Sequence, residues 1–470
     1  MIDLENNRFF SLFEQQRRNQ FKTTVTSYKA RINKLNALKR ALEITYKEEL
    51  RAALYEDFKK PHLETDLTEL YLVIKEIKFA RANLRSWMNK KRARTPLTLF
   101  GTKSWIQHEP KGVCLIISPW NYPINLTFSP LVSAISAGNT VIIKPSEMTP
   151  STSRIMAKII KETFNEEEVA LVEGGIEVSQ ELLKLPFNHI FFTGSPKVGK
   201  IVMNAASVHL ASVTLELGGK SPTIIDDTAN LNEAIKSLVW GKFLNNGQTC
   251  IAPDYMLIHE SIKDQFIKAF KDRVRTYYSE LPKDSRSYAR IVNERHFNRL
   301  RAHIEDAKNR GATVVAGGDY DAKSNYIEPT LLADLTDDAS ILDEEIFGPI
   351  LPIKTYTHVD EVIDYINSKE KPLALYIYSR NKKMIDTVLK NTRAGSSCIN
   401  TNAIHYSNHH LPFGGSNNSG IGKSHGYFGF QEFSNQRAVL KRYMVGPLSL
   451  LFPPYNKFKQ RLVDLTIKWF

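Results

Sequence analysis

The chain has 470 residues, 42% of them hydrophobic, which is ordinary for a globular protein and long enough for two or three domains. Its 63 Lys and Arg residues exceed its 50 Asp and Glu residues, which gives a formal net charge of +13. This charge favours anionic cofactors and anionic membrane surfaces, but no nucleic-acid-reading motif accompanies it, so dispersed surface charge is the preferred interpretation and nucleic-acid binding is not expected.

Cysteine content and hydropathy bear on the compartment. The three cysteines, Cys114, Cys250 and Cys398, are an odd number without metal-ligand spacing, so they indicate neither a disulfide framework nor a zinc site. Residues 1–7 are polar and acidic, unlike a secretory signal. No run of the chain approaches the roughly 18 apolar residues of a membrane-spanning helix. We therefore expect a cytoplasmic protein in a reducing compartment.

The N-terminal residues 4–90 are predicted to be helical. They contain no glycine and a single proline, Pro61, and their leucines and isoleucines recur mostly at helical separations. A basic segment at residues 89–96 ends this pattern. A solvated loop is the preferred interpretation of such a charge run, and contact with a membrane or a phosphate group is the alternative.

From Val113 onward, short apolar runs alternate with helical patterns. The runs lie at residues 113–117, 141–143, 170–172 and 189–193. Buried runs this short, separated by helices, are typical of parallel strands in βαβ units. The last run leads into a helix through a turn from Gly194 to Gly199, where backbone N–H groups could hold a pyrophosphate. Because Pro196 has no N–H, Ser195 is the better-supported phosphate contact.

A second α/β unit is predicted after Gly218. Residues 221–225 have the pattern of a strand, and residues 231–244 have the pattern of a helix that leads to Cys250. Further strands are expected at residues 312–316, 350–353 and 373–378. Residues 433–443 also have a strand pattern, and we expect them to pair with residues 97–108 in a protruding flap.

Two short motifs contain the residue types of a covalent hydrolytic reaction. Cys250 ends the motif Leu-Asn-Asn-Gly-Gln-Thr-Cys, and a cysteine becomes a strong nucleophile when its pKa is lowered or a base is near. A cysteine alone is more often a small buried hydrophobe. Glu216 lies between Leu215 and Leu217 before a glycine turn, and burial among apolar side chains raises a carboxyl pKa toward neutrality, as a water-activating base requires.

These two motifs and the spacing between them resemble those of the aldehyde dehydrogenase superfamily. Five further blocks resemble family signatures in the expected order: Pro119-Trp120-Asn121-Tyr122-Pro123, Lys144-Pro145-Ser146-Glu147, Phe192-Thr193-Gly194-Ser195, Glu345-Ile346-Phe347-Gly348-Pro349 and Leu411-Pro412-Phe413-Gly414-Gly415. The short N-terminal region and the apolar, basic C-terminal tail are most similar to the class 3 or fatty aldehyde dehydrogenase branch.

The resemblance implies an α/β aldehyde dehydrogenase fold with several parts. A Rossmann-variant nucleotide-binding domain is expected at residues 1–95 and 111–216, and an α/β catalytic domain at residues 217–426. A small β oligomerisation flap is expected at residues 96–110 and 427–445, followed by an amphipathic tail at residues 446–470. In the family such a flap extends the sheet of a partner subunit, which implies a homodimer.

The resemblance also implies the catalytic residues. Cys250 is expected to attack the aldehyde carbonyl, forming a thiohemiacetal and then a thioester. Asn121 is expected to stabilise the oxyanion together with the Cys250 backbone N–H, and a turn asparagine is the alternative. Glu216 is expected to take a proton from the water that hydrolyses the thioester, and a loop carboxylate or a buried ion pair is the alternative.

The cofactor-binding residues are implied in the same way. Lys144 and Glu147 are expected to bind the adenosine ribose hydroxyls, and a carboxylate there favours NAD over NADP, although the class 3 branch uses both. Glu345 is expected to hold the nicotinamide ribose with Phe347 beside the nicotinamide, and an acidic helix end is the alternative. The remaining expected cofactor contacts are Trp120, Gly194, Ser195 and Gly199.

Two features near residue 420 bear on the substrate. His425 matches a histidine of the class 3 pattern, and a surface or capping histidine is an equal alternative. Residues 415–420, Gly-Ser-Asn-Asn-Ser-Gly, depart from the G-V-G-x-S-G usual in the family. A loop near the substrate mouth is therefore expected to differ in shape, which affects the range of substrates and not the chemistry.

The predicted function is NAD(P)-dependent oxidation of a medium- or long-chain aliphatic or an aromatic aldehyde to a carboxylic acid, without a metal ion. A CoA-acylating dehydrogenase is one alternative, but that branch typically lacks a carboxylate equivalent to Glu216. A non-enzymatic structural or membrane-associated protein is the other. Asn121, Glu216 and Cys250 together argue against it, because packing alone does not need all three.

The C-terminal tail has the pattern of an amphipathic helix. Its apolar residues recur at separations of three and four: Tyr455, Phe458, Leu462, Leu465 and Trp469. Pro453 and Pro454 are the predicted helix start. The helix is too short to span a bilayer, so it is expected to lie on a membrane surface or over a protein groove, and packing on its own subunit is the alternative. We favour a tail that guides long-chain aldehydes toward Cys250.

Overall fold

The computed structural model describes residues 6–469 of the chain. The expectation that residues 1–7 are not a secretory signal stays a prediction, because most of these residues lie outside the described part of the chain. None of the described helices is both long and apolar enough to cross a membrane.

The α-helices are concentrated before residue 90 and between the strands. In chain order they are α1 Phe10–Thr24, α2 Tyr28–Arg40, α3 Lys47–Phe58, α4 His62–Thr65, α5 Tyr71–Met88, α6 Asn125–Ala137, α7 Pro150–Thr163, α8 Ile176–Leu183, α9 Pro196–Val208, α10 Leu231–Phe243, α11 Lys263–Tyr278, α12 Glu294–Asn309, α13 Val359–Asn367, α14 Lys382–Asn391, α15 Gly426–Glu432 and α16 Lys457–Trp469. Short 3₁₀ and π-helical turns extend or connect several of them.

The strands form two large sheets, a flap and a two-stranded ribbon. In chain order they are β1 Lys91–Ala93, β2 Thr102–Pro110, β3 Val113–Ile117, β4 Thr140–Lys144, β5 Val169–Leu171, β6 His189–Gly194, β7 Ser212–Leu217, β8 Pro222–Ile225, β9 Tyr255–His259, β10 Thr313–Ala316, β11 Tyr320–Asp321, β12 Tyr326–Ile327, β13 Thr330–Ala333, β14 Ile350–Tyr356, β15 Ala374–Tyr378, β16 Ser396–Ile399, β17 Gly420–Ile421 and β18 Ser434–Arg442.

The N-terminal helices confirm the helical pattern predicted for residues 4–90. Helices α1 to α5 cover most of residues 10–88, and leucines such as Leu35, Leu38 and Leu42 are fully buried in one hydrophobic core with the β3 and β4 side chains. The prediction of a loop at residues 89–96 is wrong for residues 91–93, which form β1 and pair antiparallel with β2. Charged side chains on so short an edge strand still discourage further pairing.

The first large sheet has the strand order β17-β7-β6-β3-β4-β5. Strands β3 to β7 are parallel, as predicted from their continuous apolar runs, and β17 is added antiparallel to β7. The strand order reverses between β3 and β6. Ligands of open α/β sheets bind outside the carboxyl ends of the strands at such a switch point, so this edge is the expected nucleotide crevice.

The second large sheet has the order β10-β13-β14-β9-β8-β15-β16. All neighbouring strands are parallel except β10, which is antiparallel to β13. The predicted strands at residues 221–225, 312–316, 350–353 and 373–378 are confirmed to within one residue at their N-terminal ends. All strands of this sheet come after residue 217, as the predicted catalytic domain requires. Strand β17 also comes after residue 217 but belongs to the first sheet. The predicted domain boundaries stay a prediction.

The flap consists of β1, β2 and β18, with β18 at its outer edge. Strands β2 and β18 pair antiparallel over nine residues, from Thr102 opposite Arg442 to Pro110 opposite Ser434. The predicted pairing of these two segments is confirmed, except that Leu97–Leu99 forms a 3₁₀ turn. Because the far edge of β18 has no partner among the described residues, its backbone groups are available for pairing.

The C-terminal helix α16 confirms the predicted amphipathic segment but not its start. The helix begins at Lys457, three residues after Pro454, because the Asn456 side chain caps it by accepting a hydrogen bond from the Lys459 N–H at 3.0 Å. No described residue of α16 is buried, and the apolar side chains of Phe458, Leu465 and Trp469 are exposed. Because Leu462 and Val463 are half-buried, the alternative of a helix packed on its own subunit stays open.

Candidate active site

A largely apolar cavity of about 210 Å³, partly open to solvent, lies between the N-terminal helices and the two large sheets. Its polar lining includes Glu216, Cys250 and His425. Its apolar lining includes Leu67, Tyr71, Leu72, Leu126, Pro130, Trp240, Leu244, Ile251, Leu373, Ile404 and Phe413. The cavity therefore offers apolar space next to a thiol and a carboxylate.

Cys250 is held on a loop whose backbone is strained. After α10, the consecutive residues Asn245, Asn246 and Gly247 have φ angles of 54°, 58° and 73°. Only glycine adopts this left-handed region without a steric cost, and a non-glycine residue there costs of order 1–3 kcal/mol. Such a conformation persists only where the surrounding structure fixes it.

Buried polar side chains fix this loop from several sides. The Asn245 side chain donates to the Asn121 carbonyl at 2.9 Å, and its backbone N–H donates to a Glu64 carboxylate oxygen at 3.0 Å. The Gln248 side chain bridges to the next segment, donating to the Arg290 carbonyl at 3.0 Å and accepting from Val292 at 3.0 Å. The reactive cysteine is thus placed by a hydrogen-bond network.

Glu64 belongs to a buried charged cluster that the sequence reading missed. Lys60 and Glu69 form an ion pair at 2.8 Å with both side chains fully buried, and the second Glu69 oxygen accepts the Asn125 N–H at 2.8 Å. Burial raises the pKa of Glu64 to about 7, against the opposing effects of Lys60 and the Asn245 N–H. These residues lie within a uniformly helical pattern, so only the fold reveals that they contact the cysteine loop.

The surroundings of Cys250 raise the pKa of its thiol. Burial is the main cause, and the nearby Glu345 and Glu216 carboxyl groups add to it. A catalytic cysteine needs either a lowered pKa or a nearby base, and of these two the structure provides only the second. The thiol therefore requires a proton acceptor beside it.

Glu216 lies in β7, opposite Gly420 of β17, and faces the cavity. Burial raises its pKa to about 8, while the Ser424 hydroxyl and the Lys423 ammonium act in the opposite direction. Neither carboxylate oxygen has a hydrogen-bond partner of good geometry among the described residues. The pKa of Glu216 is therefore raised, as its position between two leucines predicts. The alternative that Glu216 is a member of a buried ion pair is not supported.

Asn121 follows β3 and is buried next to the cysteine loop. Its side-chain amide donates one hydrogen bond to the Gln248 carbonyl at 3.0 Å, two residues before Cys250. An amide nitrogen carries two N–H groups, so a second donor remains. Asn121 is therefore tied to the cysteine loop directly, although it is not part of the cavity lining.

The predicted cofactor residues cluster at the carboxyl edge of the first sheet. Lys144 is the last residue of β4, and its ammonium donates to the Pro145 carbonyl at 2.9 Å and to Glu147 at 2.8 Å. Burial raises the pKa of the half-exposed Glu147, but the Lys144 hydrogen bond and charge outweigh it, so the net pKa lies below the usual value. Glu147 is thus ionised at neutral pH.

Helix α9 begins at the same edge, directly after β6. Ser195 is its N-cap residue, and its hydroxyl accepts the Val198 N–H at 3.4 Å. Gly194 ends β6, and the buried Gly199 faces Leu217, where an added Cβ would lie only 2.8 Å from the Leu217 side chain. Gly199 therefore allows close packing of α9 on β7, while the first turn of α9 remains open to an anion.

Glu345 and Phe347 lie across this crevice. Burial, and to a smaller extent the Asp254 carboxylate, raises the pKa of Glu345 to about 8. The Phe347 ring contacts the Trp120 ring edge to face at 5.4 Å. Asp254 holds the segment by accepting the Ile346 N–H at 2.8 Å. Asp343 and Glu344 are exposed, whereas Glu345 is half-buried. The three acidic residues therefore do not form a single solvent-exposed cluster at a helix end.

His425 is buried and lines the cavity, so its interpretation as a surface histidine is wrong. It precedes α15 but makes no side-chain capping hydrogen bond. The loop at residues 415–420 lines no part of this cavity and instead supports β7 through the pairing of Gly420 with Glu216. The residues that differ from the family pattern therefore lie beside the strand that contains Glu216 and not in the cavity wall.

The structure thus brings the predicted residues together in two neighbouring groups. Cys250 and Glu216 line the cavity with Asn121 behind the cysteine loop, and the cofactor residues surround the carboxyl edge of the first sheet. The sequence reading missed Asn245 and Gln248, which position the loop. The run of two asparagines before a glycine was the available signal, because these residues tolerate left-handed backbone.

Comparisons with known proteins agree with this arrangement. The Aldehyde dehydrogenase family matches residues 12–439 of the chain. The 4,4'-diaponeurosporen-aldehyde dehydrogenase of Staphylococcus aureus is 45% identical over 91% of this chain and 93% of its own length. Aldehyde dehydrogenase family 3 member A2 of Mus musculus is 42% identical over 91% of this chain and 88% of its own length.

Solved structures have the same fold. The substrate-bound state of Staphylococcus aureus AldH has a TM-score of 0.93 and 42% identity, and the match covers 98% of this chain and 100% of that one. The NAD+ complex of an aldehyde dehydrogenase from Bacillus cereus has a TM-score of 0.84 and 27% identity, with 92% and 88% covered.

The strained loop leads to a prediction for Gly247→Ala. An added methyl group would collide with the Gly348 carbonyl at a φ of 73°, so the loop must shift. Because about an ångström of misplacement costs roughly 10²-fold in rate, we expect kcat/KM for aldehyde oxidation to fall by roughly that factor.

Gly311→Ala is the matched control, since Gly311 has a φ of 88° but no atom near the added Cβ. It should cost about 1–2 kcal/mol of unfolding free energy and leave kcat/KM unchanged. Equal activity of the two variants would show that the left-handed loop does not position Cys250.

Proposed function

This chain belongs to the aldehyde dehydrogenase family, and we propose that Cys250, Glu216 and Asn121 carry out its reaction at the apolar cavity. It is a class 3 type enzyme that oxidises aldehydes to carboxylic acids with NAD(P). The observation that carries the proposal is the convergence of Cys250 and a buried carboxyl group with a pKa of about 8 on one cavity.

The first step is the attack of the Cys250 sulfur on the aldehyde carbonyl. Because the thiol pKa is raised, the proton must leave as the C–S bond forms, and either Glu216 or water that enters the partly open cavity can accept it. The product is a thiohemiacetal whose oxygen carries negative charge. The free N–H of the Asn121 amide and the Cys250 backbone N–H are the donors we assign to this oxyanion.

The donor set at the carboxyl edge of the first sheet fits a dinucleotide. Lys144 keeps one ammonium N–H beyond its two protein acceptors, Glu147 offers a partly exposed carboxylate for ribose hydroxyls, and the first turn of α9 at Ser195 can receive a phosphate. Glu345 and Phe347 would hold the nicotinamide end. When bound, the oxidised nicotinamide accepts the hydride that leaves the thiohemiacetal carbon.

The second half of the reaction is hydrolysis of the Cys250 thioester. Glu216 takes a proton from water, which attacks the thioester carbonyl and releases the carboxylic acid and the thiol. The oxygens of Glu216 lack hydrogen-bond partners among the described residues, so they are free to accept the proton of a water. This hydrolytic role separates the proposal from a CoA-acylating one.

The substrate class we propose is medium- or long-chain aliphatic and aromatic aldehydes. The cavity has a mostly apolar lining and is partly open to solvent, which suits a hydrocarbon chain that extends out of the cavity better than a short polar aldehyde. The S. aureus relative is named for the aldehyde of 4,4'-diaponeurosporene, which agrees with a bulky substrate.

We also propose that the enzyme is a cytoplasmic homodimer formed through the flap. Strand β18 is nine residues long, and its outer edge has no partner among the described residues. An unpaired edge of this length is a template for pairing with a second sheet unless it is protected. A partner copy that adds its sheet at β18 would satisfy these backbone groups.

The tail is proposed to contact a membrane surface and to guide long-chain aldehydes toward Cys250. Helix α16 exposes Phe458, Leu465 and Trp469 together with Lys457 and Arg461. An exposed apolar face flanked by basic residues binds anionic lipid surfaces by burial and by charge.

Glu216→Gln should separate the two halves of the reaction. Hydride transfer does not need the base for water, so a burst of about one NADH per active site should remain. Steady-state turnover should then fall by roughly 10²–10⁴-fold. In the wild type, Glu216 acts as a base only when ionised, so kcat should rise with pH through about 8, its raised pKa.

Stopped-flow absorbance measures the NADH burst. A pH profile measures the rise of kcat near pH 8, and this rise should be absent in the variant. A variant that loses the burst yet keeps steady-state turnover would mean that Glu216 acts in the first half of the reaction only.

Glu147→Gln should narrow the preference for NAD over NADP. The ionised carboxylate repels a 2′-phosphate near the ribose, and the amide does not. The measurement is kcat/KM for both cofactors in the wild type and the variant. Glu166→Gln is the control, because it removes an exposed carboxylate before the amino end of β5, at the opposite edge of the sheet. A wild type that prefers NADP would refute the role of Glu147.

Deletion of residues 454–470 should reduce activity on long-chain aldehydes and binding to anionic vesicles, while activity on short-chain aldehydes stays unchanged. The matched control is the variant Phe458→Ser, Leu465→Ser, Trp469→Ser, which keeps the length and charge of the tail but removes its apolar face. It should behave like the deletion in vesicle co-sedimentation and in kcat/KM against chain length. Equal losses on short and long substrates would indicate destabilisation instead.

A further inference from the structure

A second group of titratable side chains lies behind the cavity wall. Glu76 comes from α5, His409 from the loop before Pro412, and His425 from the residue before α15. One ligand atom from each side chain lies within 4.8 Å of the other two. Their exposed fractions are 1%, 5% and 3%, so the three groups meet away from bulk water.

The polar atoms of this group lack hydrogen-bond partners. Both imidazole nitrogens of His409 and of His425, and one carboxylate oxygen of Glu76, are buried without a hydrogen bond among the described residues. The one close approach is that of His409 Nδ1 to this Glu76 oxygen at 3.1 Å. Leaving so many buried polar atoms unpaired costs free energy, since each would otherwise bind water or a ligand.

Backbone and ring contacts limit how far the three side chains can rotate. The other Glu76 oxygen accepts the Gly426 N–H at 2.8 Å. The His425 ring packs between Tyr406 and Phe413, with ring centroids 5.1 and 5.9 Å away, and the His409 ring packs on Phe79 at 5.5 Å.

We propose that Glu76, His409 and His425 form a binding site for a divalent transition-metal cation, of which Zn²⁺ is the representative. Two imidazoles and one carboxylate are a ligand set that divalent zinc takes from proteins. The unpaired atoms converge from three separate segments, and a cation would satisfy an atom on each at once. Because the ligand atoms are farther apart than in a formed zinc site, small side-chain rotations must accompany binding.

The cation would connect α5, the loop before Pro412 and the start of α15. His425 lines the cavity, whereas Glu76 and His409 do not, so the metal would lie at the back of the wall and not beside Cys250. Its effect would be to fix this wall in place. The inference rests on these contacts alone and does not depend on the roles assigned to Glu216 and Cys250.

The test uses the full chain, freed of metals with a chelator and titrated with Zn²⁺ by calorimetry and with Co²⁺ by visible absorption. We expect one equivalent of each ion to bind, and the thermal unfolding midpoint to rise with Zn²⁺. In His409→Ala the affinity should fall at least tenfold, since even residues that only support metal ligands change affinity by 10–100-fold. His410→Ala, which alters the neighbouring histidine outside the group, should bind like the wild type.

Two further variants keep the test decisive. Glu76→Gln preserves an oxygen for the Gly426 N–H, so it should fold even where His409→Ala does not, and it should also lose the metal. Cys250→Ala should still bind one equivalent, and the Co²⁺ spectrum should contain no thiolate charge-transfer band. Absence of binding, binding unchanged in both His409→Ala and Glu76→Gln, or loss of binding in Cys250→Ala would each overturn the proposal.

Discussion

The active site depends on a backbone conformation that the cysteine loop would not adopt by itself. Asn245 and Asn246 stand in the left-handed region ahead of Gly247, at a cost of order 1–3 kcal/mol for each asparagine. Hydrogen bonds to Asn121, Glu64 and the segment after Arg290 offset this cost, each by about 0.5–1.5 kcal/mol net. The N-terminal helices therefore take part in placing Cys250, although they are far from it in sequence.

Exclusion of water from the cavity determines the protonation states that the chemistry uses. The same burial raises the pKa of Glu216 to about 8 and the pKa of the Cys250 thiol above its usual value. A carboxyl group with such a pKa can exchange a proton near neutral pH, whereas an isolated thiol in this setting cannot ionise alone. The same burial thus sets the protonation of nucleophile and base, and the base is indispensable only for the hydrolysis of the thioester.

Much of this arrangement could be predicted from the sequence, and the reasons are physical. Continuous apolar runs such as Val113–Ile117 are buried on both faces, so the local sequence records their strand state even though the strands they pair with are distant in sequence. Residues 91–93 form a strand only because β2 offers an edge to pair with, which local sequence does not record. Helix α16 begins at the Asn456 cap and not at the predicted Pro453-Pro454, because a side-chain cap fixes a helix start more strongly than a preceding proline pair. Glu64, Glu76 and His409 gain their surroundings only through long-range packing, so no local pattern could have singled them out.

In the proposed mechanism, Cys250 carries the acyl group and Glu216 activates the water that releases it. The most direct test is to mix the Glu216→Gln variant with NAD and a long-chain aldehyde, quench it within the burst, and determine the mass of the intact protein and of its cysteine peptides. We expect one acyl group per chain, attached to the peptide that contains Cys250. An unmodified Cys250 peptide, or an acyl group on Cys114 or Cys398 instead, would contradict this mechanism.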